Sequence, residues 1–139
     1  MRHFWTDGSA IPNPGLGGWA VIENDMPVAI GREENSTNIR MEARAIEAAL
    51  KLAKGEPCTI TTDSEFWINV LTKWAPGWEA KGWKKSSKGE IQNLELVQAV
   101  YKLYRDSQAK LIWTRGHVGN VQNELADAWA NRARDGETL

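Results

Sequence analysis

The class of fold follows from one stretch of sequence, CTITTD at residues 58–63. Its β-branched residues predict a short strand that ends at Asp63. The segment before it, residues 41–52, places apolar side chains at helical spacing among Ala, Glu and Arg, which predicts a helix. A strand reached through a helix joins its sheet by a right-handed crossover, parallel to an earlier strand. The chain is therefore predicted to be an α/β protein.

The residues before that helix predict three short strands. The first ends at Asp7, the second covers residues 19–23, and the third starts at Pro27. Turns rich in Pro and Gly separate them. Links this short favour an antiparallel meander.

The rest of the chain alternates helices with one more strand. The patterns predict, in order, a short helix at 64–74, an irregular polar stretch at 75–89, a helix with apolar side chains from 91 to 104, a strand at 110–114, a loop at 116–120 and a helix at 124–134. The order β-β-β-α-β-α-α-β-α contains no repeat or linker. We therefore expect a single domain over residues 1–135, followed by a disordered tail at 136–139.

Composition excludes several classes of protein. In 139 residues, 17 Lys and Arg oppose 18 Asp and Glu, so the net charge of -1 rules out a chain that grips nucleic acid by bulk positive charge. A single cysteine, Cys58, rules out an internal disulfide framework. Asp7 comes too early for the apolar region of a signal peptide, and no apolar run approaches the ~18 residues of a membrane span. We expect a soluble cytoplasmic protein with no membrane segment.

Four carboxylates stand where an ordinary surface acid is not expected. Asp7 and Asp63 end predicted strands, Glu42 follows Met41 at the start of the first helix, and Asp127 lies among apolar residues of the last helix. Each alone has an ordinary explanation as a turn former, a helix cap or a solvated helix position. If the first and fourth strands are neighbours, however, Asp7 and Asp63 converge. Two carboxylates that close together favour a cation between them.

The ligand type indicates which cation. Oxygen ligands suit Mg²⁺, with Mn²⁺ as a substitute, rather than Zn²⁺. One Cys and two His offer no closed tetrahedral zinc set. Two divalent ions roughly 3.5 to 4 Å apart can activate water and stabilise the leaving oxygen in phosphodiester cleavage.

Short motifs around these acids resemble those of ribonuclease H of type 1, in its bacterial form. The matching segments are TDGS at 6–9, NPG at 13–15, NIRME at 38–42, TDS at 62–64, GHVG at 116–119, NE at 123–124 and Asp127. They come in the family's order and span nearly the whole chain. Members of this family are metal-dependent endonucleases that cut the RNA strand of RNA–DNA hybrids, and the resemblance implies that activity and that partner. No obligate protein partner is evident, so we expect a monomer.

Carried over residue by residue, the resemblance implies a fold and a mechanism. The fold is a five-stranded mixed sheet flanked by helices on both faces. The catalytic metal ligands are Asp7, Glu42, Asp63 and Asp127, with Asp7 shared by two ions. A metal-activated water attacks in line, leaving 5′-phosphate and 3′-hydroxyl ends. His117, which alone could be an ordinary exposed loop histidine, becomes a residue that shuttles a proton or helps the product leave.

A second charged feature lies at residues 73–88, where five Lys, one acid and three Trp give a net charge of +4. Lys attracts phosphate, and planar rings pack against sugars or stack on bases, although Trp rings facing the core are the alternative. Many bacterial members of the family carry a basic protrusion here. The resemblance predicts nucleic-acid contacts from Trp74, Trp78, Lys81, Lys84, Lys85 and Lys88, while Trp83 fits equally well as an anchor of the segment. Core packing is the better explanation for most of the other five, Trp5, Trp19, Trp67, Trp113 and Trp129.

Four further residues fall at family positions that contact nucleic acid: Asn13 and Asn38 for backbones or base edges, and Thr37 and Asn93 for a DNA phosphate. Two positions depart from the family pattern. Ile39 stands where many members have Asn, and Glu65 where many have Gln. Both changes remove hydrogen-bond donors near the groove. They bear on the efficiency and the sequence preference of cleavage, and leave the four acids intact.

Three other functions fit parts of the pattern. A hybrid-binding module without catalysis would need a broken set of acids, and all four acids are present. A nuclease of related fold that acts on DNA junctions, or a transposase, keeps carboxylates but lacks the GHVG loop and the NPG turn. A nuclease domain detached from a reverse transcriptase is the third, although Met1 lies only a few residues before the first strand.

Overall fold

Five strands form one sheet in the computed structural model, which describes residues 1–84, 91–115 and 121–139. They are β1 (Arg2–Ile11), β2 (Gly15–Glu23), β3 (Met26–Ser36), β4 (Cys58–Thr62) and β5 (Ala109–Trp113). Their order across the sheet is β3-β2-β1-β4-β5. β2 is antiparallel to β1 and β3, whereas β4 is parallel to β1 and β5. The predicted meander and the predicted parallel crossover are both confirmed.

Helices cover both faces of this sheet, as expected. They are α1 (Asn38–Ala53), α2 (Glu65–Asn69), α3 (Ala75–Ala80), α4 (Leu94–Arg105) and α5 (Val121–Arg134), with a π-helical turn at Val70–Trp74 between α2 and α3. α1 packs on one face and against α4, while α5 lies over β1, β2 and β3 on the other. Thr37 caps α1, because its side-chain oxygen accepts from the Arg40 N–H.

The main core lies between the sheet and α1. Phe4 and Ile60 from neighbouring strands meet Ile46 of α1 and Val100 of α4, and all four are fully buried. Trp67 of α2 is also fully buried, and its indole N–H donates to the Ile39 carbonyl oxygen over 2.8 Å. This bond ties the helix that follows Asp63 to the start of α1, so the two segments are held together beside the ends of β1 and β4.

The ends of β1 and β2 differ from the prediction. β1 continues past Asp7 to Ile11, and β2 starts at Gly15 rather than at Trp19. The sequence predicts turns at the glycines of this region, but in the structure Gly17 and Gly18 pair with β1, with Gly18 opposite Ser9. Gly in a strand also marks a place where other backbone approaches closely, and that is its role here.

One further prediction is wrong. A helix, α3, covers Ala75–Ala80, where an irregular stretch was expected. Pro76 is the second residue of this helix, directly after the π-helical turn, where its fixed φ suits helical backbone. Core packing is predicted for most of the other five Trp, and Trp113, which lies on the edge strand β5 and is 51% exposed, is an exception.

Two points concern the chain as a whole. No helix in the described ranges has the length and apolar character that a membrane crossing requires. The division into a domain at 1–135 and a tail at 136–139 stays a prediction. Within that tail, Glu137 accepts a hydrogen bond from Arg132 over 2.6 Å.

Replacing the buried indole tests how α2 is attached. We expect Trp67→Phe to lower the free energy of unfolding by roughly 1–3 kcal/mol, because the indole bond to the Ile39 carbonyl is lost and the smaller ring leaves space in the core. Trp113→Phe changes an exposed ring and should stay within about 0.5 kcal/mol of the parent. Urea unfolding measures both. Equal losses in the two variants would show that the indole bond does not stabilise this junction.

Candidate active site

Three carboxylates meet at one edge of the sheet. One carboxylate oxygen from each of Asp7, Glu42 and Asp63 lies within 4.8 Å of the other two, and we call these residues the three-acid group. The register of the parallel pair β1–β4 explains the convergence, because Trp5 lies opposite Thr61 and each acid follows two residues later. Glu42 comes from the first turns of α1. Among the described residues, this is the cluster that could hold a metal ion.

Burial changes the acidity of this group. Asp7 is 5% exposed, and desolvation, reinforced by the charge of Asp63, raises its pKa to about 8. The Gly8 N–H, which donates to Asp7 Oδ1 over 2.9 Å, opposes that rise. Desolvation also raises the pKa of Glu42 to about 7, while a hydrogen bond from Ser64 works in the other direction. A divalent cation would remove the repulsion, and its ligands would all be oxygens.

Asp127 stands apart from the three-acid group. It lies on α5, and no oxygen of its carboxylate is within 4.8 Å of the chosen oxygens of all three other acids. Its charge nevertheless adds to the rise in the pKa of Asp7. The structure thus brings together three of the four predicted ligands and places the fourth within electrostatic range. A metal-binding role for Asp127 stays a prediction.

The predicted nucleic-acid residues near the start of α1 are held by one another. The Asn38 N–H donates to Asn13 Oδ1 over 3.1 Å, and Asn38 Oδ1 accepts from the Ala10 N–H over 2.7 Å. Both side-chain oxygens are therefore used inside the protein. Asn93 lies at the start of α4, where its Oδ1 accepts from Arg40 over 3.3 Å.

A row of aromatic rings continues from α2 into α3. Phe66 and Trp74 are 43% and 41% exposed, and their ring centres are 5.9 Å apart. Trp78 follows at 6.2 Å from Trp74. We call Phe66, Trp74 and Trp78 the aromatic row. Trp78 is half-buried and packs against the core. Trp83 also packs against the core, and its ring centre lies 6.0 Å from that of Tyr101, as expected of an anchor.

The described part of the basic segment ends at Lys84. Lys81 and Lys84 are exposed. Lys85, Lys88 and His117 lie outside the described residues. Their predicted contacts and roles stay predictions.

Two residues of the site were not singled out from the sequence. Ser64 accepts from the Trp67 N–H at the start of α2 and donates to Glu42, so it orients one of the three acids. A Ser between a strand-ending Asp and a helix is a typical N-cap, which was the available signal. Phe66 carried no comparable signal, because only the turn of α2 brings it beside Trp74.

Comparison with known proteins shows the family. Residues 2–135 match the RNase H family, to which the chain belongs. Ribonuclease H of Acidiphilium cryptum is 40% identical over 97% of this chain and 87% of its own length, and that of Dichelobacter nodosus is 41% identical over 93% and 89%. Among solved structures, LC9-RNase H1, a type 1 RNase H with the type 2 active-site motif, is similar with a TM-score of 0.80 at 28% identity, covering 99% of this chain and 73% of that one. The resemblance drawn from the motifs is confirmed.

The raised pKa of Asp7 predicts how stability depends on pH in metal-free protein. Between about pH 4 and pH 8 the folded protein keeps a proton that the unfolded chain releases, so stability falls as pH rises through this range. We expect Asp7→Asn to stabilise the protein at pH 8.5 by on the order of 2 kcal/mol, and to change it much less at pH 4.

Urea unfolding in EDTA at both pH values measures this difference. Asp135→Asn is the control, because it removes an exposed acid whose side chain is 73% accessible. A gain for Asp7→Asn that is the same at both pH values would contradict the expectation.

Proposed function

We propose that this chain is an endonuclease that hydrolyses the RNA strand of RNA–DNA hybrids with divalent metal. The observation that carries the proposal is the three-acid group at the sheet edge of a chain that belongs to the RNase H family. Burial desolvates Asp7 and Glu42, the charge of Asp63 adds to the rise in the pKa of both, and all three acids offer only oxygen ligands. Such a set fits Mg²⁺, with Mn²⁺ as a substitute.

The proposed ligands are Asp7, Glu42 and Asp63, with Asp127 completing a two-metal site. When bound, the metals supply water activation and stabilisation of the leaving oxygen. The chain holds the ligands for that chemistry: the Gly8 N–H orients Asp7, and Ser64 orients Glu42. In-line hydrolysis then leaves 5′-phosphate and 3′-hydroxyl ends. We assign proton transfer near the departing product to His117.

Asn13 and Asn38 give the protein a means of recognising RNA. Because Asn13 Oδ1 and Asn38 Oδ1 accept hydrogen bonds within the protein, the groups left to meet a ligand are the two amide NH₂ donors. Donors suit the acceptors of a wide minor groove, where the 2′-hydroxyl distinguishes RNA from DNA. Ile39, 36% exposed beside Asn38, offers no such donor.

The aromatic row and the lysines form the proposed binding surface for the DNA strand of the hybrid. Exposed rings stack on bases or sugars, and Lys81, Lys84, Lys85 and Lys88 would attract the phosphates. Asn93, Thr37 and Arg40 lie together at the starts of α1 and α4, where we place a DNA phosphate. We further propose that the protein acts as a monomer in the cytoplasm.

Cleavage assays test the activity directly. We expect fragments from an RNA–DNA hybrid with Mg²⁺, and none from double-stranded RNA, double-stranded DNA or any substrate in EDTA. Asp7→Asn should reduce cleavage to the EDTA level, because it removes the buried centre of the three-acid group. Asp135→Asn should cleave like the parent. A protein that binds the hybrid but cuts nothing with Mg²⁺ or Mn²⁺ would point to a binding module.

A single ring tests the aromatic row. In the Asp7→Asn background, which prevents cleavage, Trp74→Ala should weaken hybrid binding by about 1–3 kcal/mol through lost stacking. Trp129→Ala is the control, because that ring stacks under Arg132 on α5, with 3.9 Å from the guanidinium carbon to the ring centre. Fluorescence anisotropy with a labelled hybrid measures both affinities. Equal weakening would exclude a specific role for the row.

A further inference from the structure

We infer that two glycines, Gly8 and Gly18, set the distances at which the helices carrying Glu42 and Asp127 pack against the sheet. They are positioning residues for the active site, and the inference rests on the proposed function. Gly8 directly follows Asp7 in β1, and Gly18 lies opposite Ser9 in β2. The two glycines therefore occupy neighbouring strands at adjacent levels of the sheet.

Gly8 makes room for α1. A methyl group built on Gly8 would lie 2.5 Å from the backbone nitrogen of Glu42 and would also overlap the carbonyl group of Met41. Real side chains essentially never come that close, and backbone atoms cannot rotate out of the way. Any side chain at this position must push α1 outward. Glu42 would move with it, because its own nitrogen is one of the clashing atoms.

Gly18 makes room for α5 on the opposite face of the sheet. A methyl group there would lie 2.5 Å from the backbone nitrogen of Arg134 and would overlap the carbonyl oxygen of Ala130. Asp127 precedes Ala130 by about one turn of the same helix. A side chain at Gly18 would therefore move Asp127 away from Asp7.

Gly8 and Gly18 are needed because a side chain would not fit at these positions, and not because of their backbone angles. Among the described residues, the glycines with positive φ are Gly55, Gly82 and Gly136, so Gly8 and Gly18 have backbone angles that alanine also adopts. A change to alanine at either one therefore acts through the contact with the helix. This makes alanine a clean probe of helix position.

Gly17 provides a matched control next to Gly18. A methyl group on Gly17 would meet Met41 too, but at Cγ over 2.6 Å and at Sδ over 2.7 Å. These are atoms of an unbranched side chain, which adapts its rotamer more readily than a backbone moves. Gly17→Ala thus crowds α1 through the Met41 side chain, and not directly through the helix backbone as Gly8→Ala does.

The experiment compares the three alanine variants by calorimetric titration of metal-free protein with Mg²⁺, and by hybrid cleavage at saturating Mg²⁺. Gly8→Ala should weaken Mg²⁺ binding by roughly 10–100-fold, as loss of a supporting contact does at other metal sites. Gly17→Ala should bind Mg²⁺ like the parent. Gly18→Ala should also keep the parent's Mg²⁺ affinity at the three-acid group, and should slow cleavage by roughly 10²-fold through the displaced Asp127.

Three results would overturn the inference: a folded Gly8→Ala with the parent's Mg²⁺ affinity, a Gly17→Ala that loses as much affinity as Gly8→Ala, or a Gly18→Ala that cleaves like the parent. If circular dichroism shows that Gly8→Ala does not fold, Ala45→Val replaces it, because it widens the buried face of α1 one turn after Met41. Unchanged Mg²⁺ affinity in that variant overturns the inference equally. A parent protein that binds Mg²⁺ without cutting hybrid would contradict the proposed function, while leaving the comparison of Mg²⁺ affinities valid.

Discussion

One constraint governs the structure: three carboxylates that repel one another are held together at a site where Asp7 is buried and Glu42 and Asp63 are half-buried. Asp7 is 5% exposed and feels the charges of Asp63, Asp127 and Glu42. In a metal-free protein this arrangement costs stability, because an ionised carboxylate loses solvation and gains unfavourable neighbours. Packing elsewhere must offset that cost. The buried apolar side chains between the sheet and α1 provide the stabilisation that offsets it.

The fold meets the constraint by taking each acid from a different rigid element. β1 and β4 are neighbouring parallel strands, so Asp7 within β1 and Asp63 directly after β4 lie in register, about one strand spacing of 4.7–4.9 Å apart. Glu42 comes from α1, whose start is fixed by the Thr37 cap and by the Trp67 bond to Ile39. Three independent attachments hold the acids against their own repulsion, which a flexible loop could not do.

Most of the sheet and the convergence of Asp7 and Asp63 could be predicted from the sequence. Asp63 ends a β-branched strand, and the crossover rule places that strand beside an earlier parallel one. The limits of β1 and β2 were mispredicted, because local propensity cannot distinguish a glycine that turns the chain from one that admits a helix. The same difficulty affects Phe66, whose position in the aromatic row depends on how α2 continues into the π-helical turn.

The position of Asp127 relative to the other acids also could not be predicted from the sequence. Spacing within α5 shows that Asp127 lies among apolar residues, but its distance from Asp7 depends on how deeply the helix packs against β2. That depth is set by the contact of Gly18 with Ala130 and Arg134, about 110 residues later in the chain. Long-range contacts of this kind are fixed by packing, which a local pattern does not encode.

The net charge of -1 hides a separation of charge that the proposed function needs. Residues 73–88 carry +4, so the rest of the chain carries -5, and the three-acid group contributes to that excess. Phosphates drawn to the lysines would be repelled by bare carboxylates at the site of cleavage. Divalent metal at the acids reverses that repulsion, since it neutralises them and attracts phosphate. Metal and hybrid should therefore strengthen each other's binding, by the same factor in both directions, as thermodynamic linkage demands.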